Sequence, residues 1–211
     1  MNFTILIPAR GGSKGLPKKN QLLLEYTLDE IPPQYHKNVI VSTDDEQIIE
    51  KVSKKYNACQ IHLRSEKSAR DTASIKECIQ EVIGEFSIDG EVVMLYLTYP
   101  NRKWSQVIDA MKWFRDQRAL SLLCREEIDI HPYLCLYEKE HNKGKQVVSH
   151  DLYRRQDYPP CFKMCHMISI FTTKEFKKLN KNLYNKSTVY YKIDHALDVD
   201  TEADFKKIGA L

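Results

Sequence analysis

Residues 3–20 read FTILIPARGGSKGLPKKN: a short apolar run closed by Pro8, then a loop carrying Gly11, Gly12 and Gly15 among Arg10, Lys14, Lys18 and Lys19. An apolar run of this length bounded by proline and glycine predicts a strand buried on both faces, the kind found inside parallel sheets. Glycines let the following backbone turn tightly and converge its N–H groups, with no Cβ to keep a phosphate away. Arg10 and Lys14 add formal charge, and arginine can form paired hydrogen bonds to an oxyanion. Two readings compete, an exposed flexible turn and a loop that wraps a polyphosphate. The spacing is neither GxxxxGK[ST] nor GxGxxG, so the loop alone does not decide between them.

Further strand and helix patterns alternate along the chain. NVIVSTDD (38–45) is a second buried strand ending in polar residues, and DEQIIEKVSKKYNA (45–58) has helical apolar spacing behind Asp44 and Asp45 as N-cap candidates. CQIHLR (59–64) predicts a strand, DTASIKECIQEVIGEF (71–86) a helix capped by Asp71 or Thr72, and EVVMLYLTYP (91–100) a strand along its length. SQVIDAMKWFRDQ (105–117) predicts a helix and LSLLCRE (120–126) a strand. MISIFTTKEFKKL (167–179) predicts strand then helix, VYYKID (189–194) a strand, and 200–211 a closing helix with Thr201 as cap. This alternation predicts one α/β domain over 1–211, three layers around a mostly parallel sheet, with ligands at the carboxyl ends of the strands. Residues 128–162 break the rhythm and predict a hairpin-like extension that packs on a partner chain or covers an acceptor.

Composition narrows the class. The chain has 211 residues, 42% hydrophobic and 29% charged, with a net charge of +3. The near balance of 32 basic and 29 acidic residues argues against nucleic acid as a partner. No apolar run approaches the ~20 residues of a membrane span, and Asn2 stands where a secretory signal would be basic. The six cysteines include no CxxC pair, and the seven histidines form no HExxH. A cytoplasmic protein without structural zinc is expected.

PARGGSKGLPKKN resembles the nucleotide-binding loop of the acylneuraminate cytidylyltransferase family, which includes CMP-sialic acid and CMP-Kdo synthetases. VSTDD (41–45), LRSEKSARDTAS (63–74), LTYPNR (97–102), RRQDYPP (154–160) and LDVDTEADF (197–205) follow in the family's order. The resemblance implies a Rossmann-like nucleotidyltransferase fold and an enzyme in which a 2-keto sugar acid attacks the α-phosphate of CTP and expels pyrophosphate. It implies that Arg10, Gly11, Gly12, Ser13 and Lys14 hold the triphosphate, that Lys19 neutralises the reacting phosphates, and that Asn20 orients the nucleotide. Arg64, Asp71 and Ser74 border the nucleotide by the same resemblance, although Arg64 also suits a surface ion pair and Asp71 a plain helix cap. Lys18 is read as a solvated lysine.

Asp198 and Asp200 alternate in LDVDT, so on extended backbone both carboxylates face one side. The family uses these aspartates for Mg2+, a hard cation suited to carboxylates, phosphate and water. Asp200 alternatively caps the last helix. Arg155 and Gln156 match a segment bordering the acceptor, sometimes in the neighbouring subunit of a homodimer, and Arg102 is a candidate anion contact. The acceptor half departs from the family. Tyr96 replaces a glutamine, and Cys165 and His166 replace an Asn-Gly pair, which implies a different acceptor or an altered pose. Transfer to a phosphonate or sugar phosphate, or a silent nucleotide-binding homologue, are the alternatives.

Overall fold

The computed structural model describes residues 3–70 and 72–209. The chain runs β1 (Phe3–Pro8), α1 (Lys19–Leu28), β2 (Val39–Thr43), α2 (Glu46–Lys55), β3 (Gln60–Leu63), α3 (Glu66–Ala69), α4 (Ile75–Glu85) and β4 (Glu91–Met94). It continues through α5 (Trp104–Asp116), β5 (Ser121–Glu127), β6 (Leu136–Glu138), β7 (Gly144–Gln146), β8 (Phe162–Thr172), α6 (Thr173–Phe176), β9 (Val189–Lys192) and α7 (Glu202–Ile208). Among the described residues, one seven-stranded sheet has the order β3-β2-β1-β4-β8-β5-β9. All neighbours are parallel except β8, which runs antiparallel to both β4 and β5.

β1 shows why its run is unbroken. Ile5 and Ile7 face a core built with α1, α2 and α5, while Leu6 faces a second core with Cys78, Ile79 and Val82 of α4 and Phe176 of α6. Alternate side chains of a strand point to opposite faces, so a sheet covered on both sides needs apolar residues at every position. Three layers follow.

Two elements depart from the sequence expectation. The predicted strand 91–100 pairs only over Glu91–Met94, because residues beyond Leu95 leave the sheet and bind the segment 195–199 instead. Helix α1 lacks a predictive signature: no side chain caps it, and its QLLLEYTL stretch spreads apolar residues around the axis, leaving Leu22 and Tyr26 exposed while Leu23, Leu24 and Leu28 are buried. Helix α4 begins at Ile75, with the Ser74 hydroxyl accepting from Lys76 N; Asp71, proposed as its cap, lies outside the described residues.

The 128–162 extension is hairpin-like, with β6 and β7 antiparallel. Its centre is a ring cluster in which Tyr133 stacks on His150 at 4.2 Å and meets Tyr158 edge-on at 5.1 Å. Aromatic packing substitutes here for an aliphatic core. Leu136, Tyr137 and Tyr153 are exposed, Tyr153 almost fully at 96%.

Candidate active site

The strand order fixes where a ligand fits. The chain moves outward from β1 to β2 to β3, then returns to place β4 on β1's other side. Crossovers leave the sheet in opposite directions at that point and open a crevice beyond the carboxyl ends of β1 and β4. A cavity of about 310 Å³ lies there, lined by the loop after β1, the segment before α4 and Tyr96–Thr98 after β4.

The loop is pinned from below. Ala9 N donates to Ser42 O at 2.8 Å, and Thr43 Oγ1 donates to Ala9 O at 2.7 Å. Gly11 N donates to Asp44 Oδ1 at 2.8 Å, and Asn20 Nδ2 donates to Arg10 O at 2.7 Å. Asp45 caps α2, its Oδ1 accepting from Gln47 N and Ile48 N, while its Oδ2 accepts from Gln21 Nε2 at 2.7 Å. The carboxyl end of β2 therefore holds both the loop and the first turn of α1.

Five cations line the cavity: Arg10, Lys14, Lys19, Arg64 and Arg70. No carboxylate lines it among the described residues. The first turns of α1 and α4 also reach it, through Lys19 and Asn20 and through Ser74 and Ile75. Helix N-termini carry partial positive charge and directed N–H groups, so both add to the same field. Arg64 is anchored by its Nε, which donates to Ser42 O at 3.3 Å and Ser42 Oγ at 3.2 Å, and by Nη1, which donates to Ser68 O at 3.4 Å. Arg10 Nη1 donates to Ala69 O at 3.3 Å and ties the loop to α3.

Asp198 and Asp200 flank this cavity. Val199 is fully buried while both aspartates are exposed, so the alternation does place the carboxylates on one side. The segment is clamped by the loop after β4: Val199 N donates to Thr98 O at 2.8 Å, Leu197 N to Asn101 Oδ1 at 3.2 Å, and the Tyr99 hydroxyl to Asp198 Oδ2 at 3.0 Å. Burial and the neighbouring Asp198 carboxylate raise the Tyr99 phenol well above its ordinary range, so it stays a proton donor. Lys19 Nζ lies 2.7 Å from Asp200 Oδ1 and joins the cationic wall to the carboxylates. Gly15 makes the approach possible, because a Cβ there would sit 2.6 Å from the Asp200 carbonyl oxygen. Thr201, rather than Asp200, caps α7, accepting from Asp204 N.

Of the residues singled out from sequence, Arg10, Ser13, Lys14, Lys19, Asn20, Arg64, Ser74 and Tyr96 line the cavity. Gly11 and Gly12 do not: the Gly11 N–H is taken by Asp44, and Gly12 turns outward with φ +69°. Asn20 uses its amide nitrogen to hold the loop. Arg102 is corrected from an anion contact to an internal tie. Its guanidinium is buried and donates to Tyr96 O at 3.0 Å, Met167 O at 2.8 Å and Thr27 Oγ1 at 2.9 Å. Burial pulls its pKa down to about 10, which still leaves it charged at neutral pH. Arg155 and Gln156 lie exposed on the extension and do not line the cavity of their own chain. Arg70, Ser68 and Thr98 were missed. Arg70 was findable, as a basic residue just before a helix that opens toward a basic loop.

Beyond Tyr96 lies His166, its ring edge-on to the tyrosine at 5.8 Å and its backbone N–H donating to the Tyr99 hydroxyl at 3.4 Å. Burial lowers the His166 pKa against the opposing pull of Asp198, which favours the neutral ring. Tyr96 and His166, two of the three positions where the sequence departs from the family pattern, are thus neighbours.

A family model described as Cytidylyltransferase matches residues 4–209. N-acylneuraminate cytidylyltransferase of Streptococcus agalactiae serotype V is 29% identical over 212 residues, covering 95% of this chain and 51% of that protein. CMP-N,N'-diacetyllegionaminic acid synthase of Legionella pneumophila is 28% identical over 220 residues, covering 97% of this chain and 94% of that one. The chain spans about half the length of the streptococcal relatives it matches. The solved structure of CMP:2-keto-3-deoxy-manno-octonic acid synthetase complexed with CTP has a TM-score of 0.70 at 17% identity, covering 100% of this chain and 98% of that one. At that identity the likeness concerns the fold, an α/β nucleotidyltransferase architecture.

Proposed function

Since the chain belongs to the cytidylyltransferase family, we propose that it transfers CMP from CTP to an acidic sugar acceptor, a 2-keto sugar acid of eight or nine carbons. The observation that carries this reading is the junction of a five-cation cavity with two clamped carboxylates through the Lys19–Asp200 pair. The triphosphate would lie against Arg10, Lys14, Lys19, Arg64 and Arg70. The acceptor's hydroxyl oxygen forms a bond to the α-phosphorus as the bond to the bridging oxygen breaks. Pyrophosphate leaves, and the hydroxyl proton passes to a carboxylate at 198–200 and on to water.

Two exposed aspartates on one side of an extended segment suit a hard cation that keeps water and phosphate as its other ligands. Asp198 has Oδ1 and Asp200 has Oδ2 beyond the oxygens that accept from Tyr99 and Lys19. These two residues would hold Mg2+, which would offset charge gathering on the α-phosphate oxygens. Lys19 would balance the carboxylates and meet the departing phosphates.

CTP binding tests the cavity. Calorimetry should show CTP affinity falling by about tenfold or more for Arg64→Ala, since a charge-assisted contact contributes about 1.5–3 kcal/mol. Unchanged affinity would remove Arg64 from the triphosphate site.

The exposed apolar side chains of the extension are proposed to pack on a second copy, bringing Arg155 and Gln156 toward the partner's cavity. Sedimentation should give a dimer that Tyr153→Asp and Leu136→Asp together convert to monomer. A monomer at micromolar concentration before substitution would contradict this. Among the described residues, no helix is long and apolar enough to cross a membrane. We place the enzyme in the cytoplasm, where CTP is made.

A further inference from the structure

Behind the cavity wall lies a buried polar cluster that reaches the proposed triphosphate site only through Arg64. Ser42 is the penultimate residue of β2, His62 lies in β3, and Cys78 lies in α4; all three are at most 2% exposed. Ser42 Oγ is 2.9 Å from His62 Nδ1 and 3.0 Å from Cys78 Sγ. The same oxygen accepts from Arg64 Nε at 3.2 Å. On the other side of the ring, His62 Nε2 faces the carboxylates of Glu85 at 3.6 Å and Glu81 at 4.0 Å. Glu81 in turn accepts from the Ser65 and Ser68 hydroxyls, both at 2.6 Å, and the Ser68 carbonyl holds Arg64 Nη1.

A serine hydroxyl has one proton and two lone pairs. To accept from Arg64 it must send that proton elsewhere, and His62 Nδ1 is in place to take it. The two glutamates favour the proton on Nε2, because an N–H facing carboxylates is the better tautomer, and this leaves Nδ1 as an acceptor. Cys78 S–H can then donate to the second lone pair. With the imidazole neutral and in this tautomer, every polar group of the cluster has a partner. Burial lowers the His62 pKa and so favours that neutral form, against the pull of Glu85 and Glu81.

We propose that His62 is a positioning residue for nucleotide binding: through the Ser42 hydroxyl it fixes the guanidinium of Arg64 against the cavity. The inference rests on the reading of Arg64 as a triphosphate contact. It assigns to the Ser42–His62–Cys78 cluster a function in substrate affinity beyond packing. Remove the imidazole, and the Ser42 proton has no strong acceptor except by turning from its orientation toward Arg64. The guanidinium then keeps only the Ser42 and Ser68 carbonyls as fixed acceptors and is held less firmly against the cavity.

The test is a double-mutant cycle on CTP affinity, measured by calorimetry, with thermal melts to establish that each variant folds. His62→Leu should weaken CTP binding by about fivefold in the native background and have no further effect in Arg64→Ala, because its influence passes through that side chain. His62→Asn, whose Oδ1 can accept where Nδ1 did, should restore most of the affinity. If His62→Leu fails to fold, Ser42→Ala replaces it in the same cycle with the same expectation. Equal losses in both backgrounds would overturn the proposal by showing a general structural effect. So would no loss from His62→Leu when Arg64→Ala weakens binding. An Arg64→Ala variant with native affinity would instead remove the Arg64 reading on which the proposal stands.

Discussion

Replacing Asp200 with asparagine should lower the rate of CMP transfer by about 10³-fold, the loss expected when transition-state charge goes unmet, while CTP affinity changes little. The asymmetry follows from where Asp200 sits. It does not line the cationic cavity that would hold the triphosphate, but it takes Lys19 Nζ at 2.7 Å and faces the same side as Asp198. An amide keeps the shape and removes the charge, so it no longer offers a hard cation an anionic ligand, and Lys19 no longer has a counter-charge. The proposed ground-state contacts Arg10, Lys14, Arg64 and Arg70 are untouched. Steady-state kinetics beside calorimetry separate the two effects. A turnover number within threefold of the starting protein would take Asp200 out of the chemistry.

Gly15→Ala should lower kcat/KM by about 10²-fold, the penalty for displacing reacting groups by roughly 1 Å. An added Cβ would lie 2.6 Å from the Asp200 carbonyl oxygen, which is backbone and cannot rotate aside as a side chain can. That backbone is also held on both sides, by Val199 N on Thr98 O and by the Thr201 capping box of α7. Relief must therefore come from the loop moving away, which stretches the Lys19–Asp200 pair and parts the two halves of the site. Gly12→Asn is the control. Gly12 has φ +69°, which asparagine tolerates, and nothing stands within 4 Å of its Cβ position. Equal activity losses at 12 and 15 would show that loop flexibility, rather than contact with Asp200, is the cause.

Much of this arrangement was legible in the residues, and the reasons are local. An unbroken apolar run before a glycine loop can only be a strand covered on two faces, and Ile5, Leu6 and Ile7 divide accordingly between two cores. The pairing of Asp198 with Asp200 follows from strand alternation, with Val199 buried between them. The failures involve partners far along the chain. Nothing near Arg102 announces that Thr27, Tyr96 and Met167 will surround its guanidinium. Nothing near Gly11 announces Asp44, which takes its N–H from 33 residues away. YLTYP has the composition of a strand, yet Thr98 O and the Tyr99 hydroxyl bind Val199 and Asp198, an interaction that only the closed fold supplies. α1 was missed because its burial comes from the sheet beneath it, and no cap or apolar stripe marks it in the sequence.

The acceptor half was the less legible part for a related reason. Tyr96 and His166 lie 70 residues apart and meet on one wall only because β8 runs back beside β4. A phenol and a neutral imidazole there present a different surface from the side chains of the family pattern.

Nucleotidyl transfer to an acidic sugar is tested by incubating the protein with CTP, Mg2+ and single members of a panel of 2-keto sugar acids, with pyrophosphate and CMP-sugar quantified together. Equimolar pyrophosphate and CMP-sugar are expected with at least one sialic-, legionaminic-, pseudaminic- or Kdo-type acid, and none with a neutral sugar. Measurable CTP binding without product from any member of the panel would contradict it.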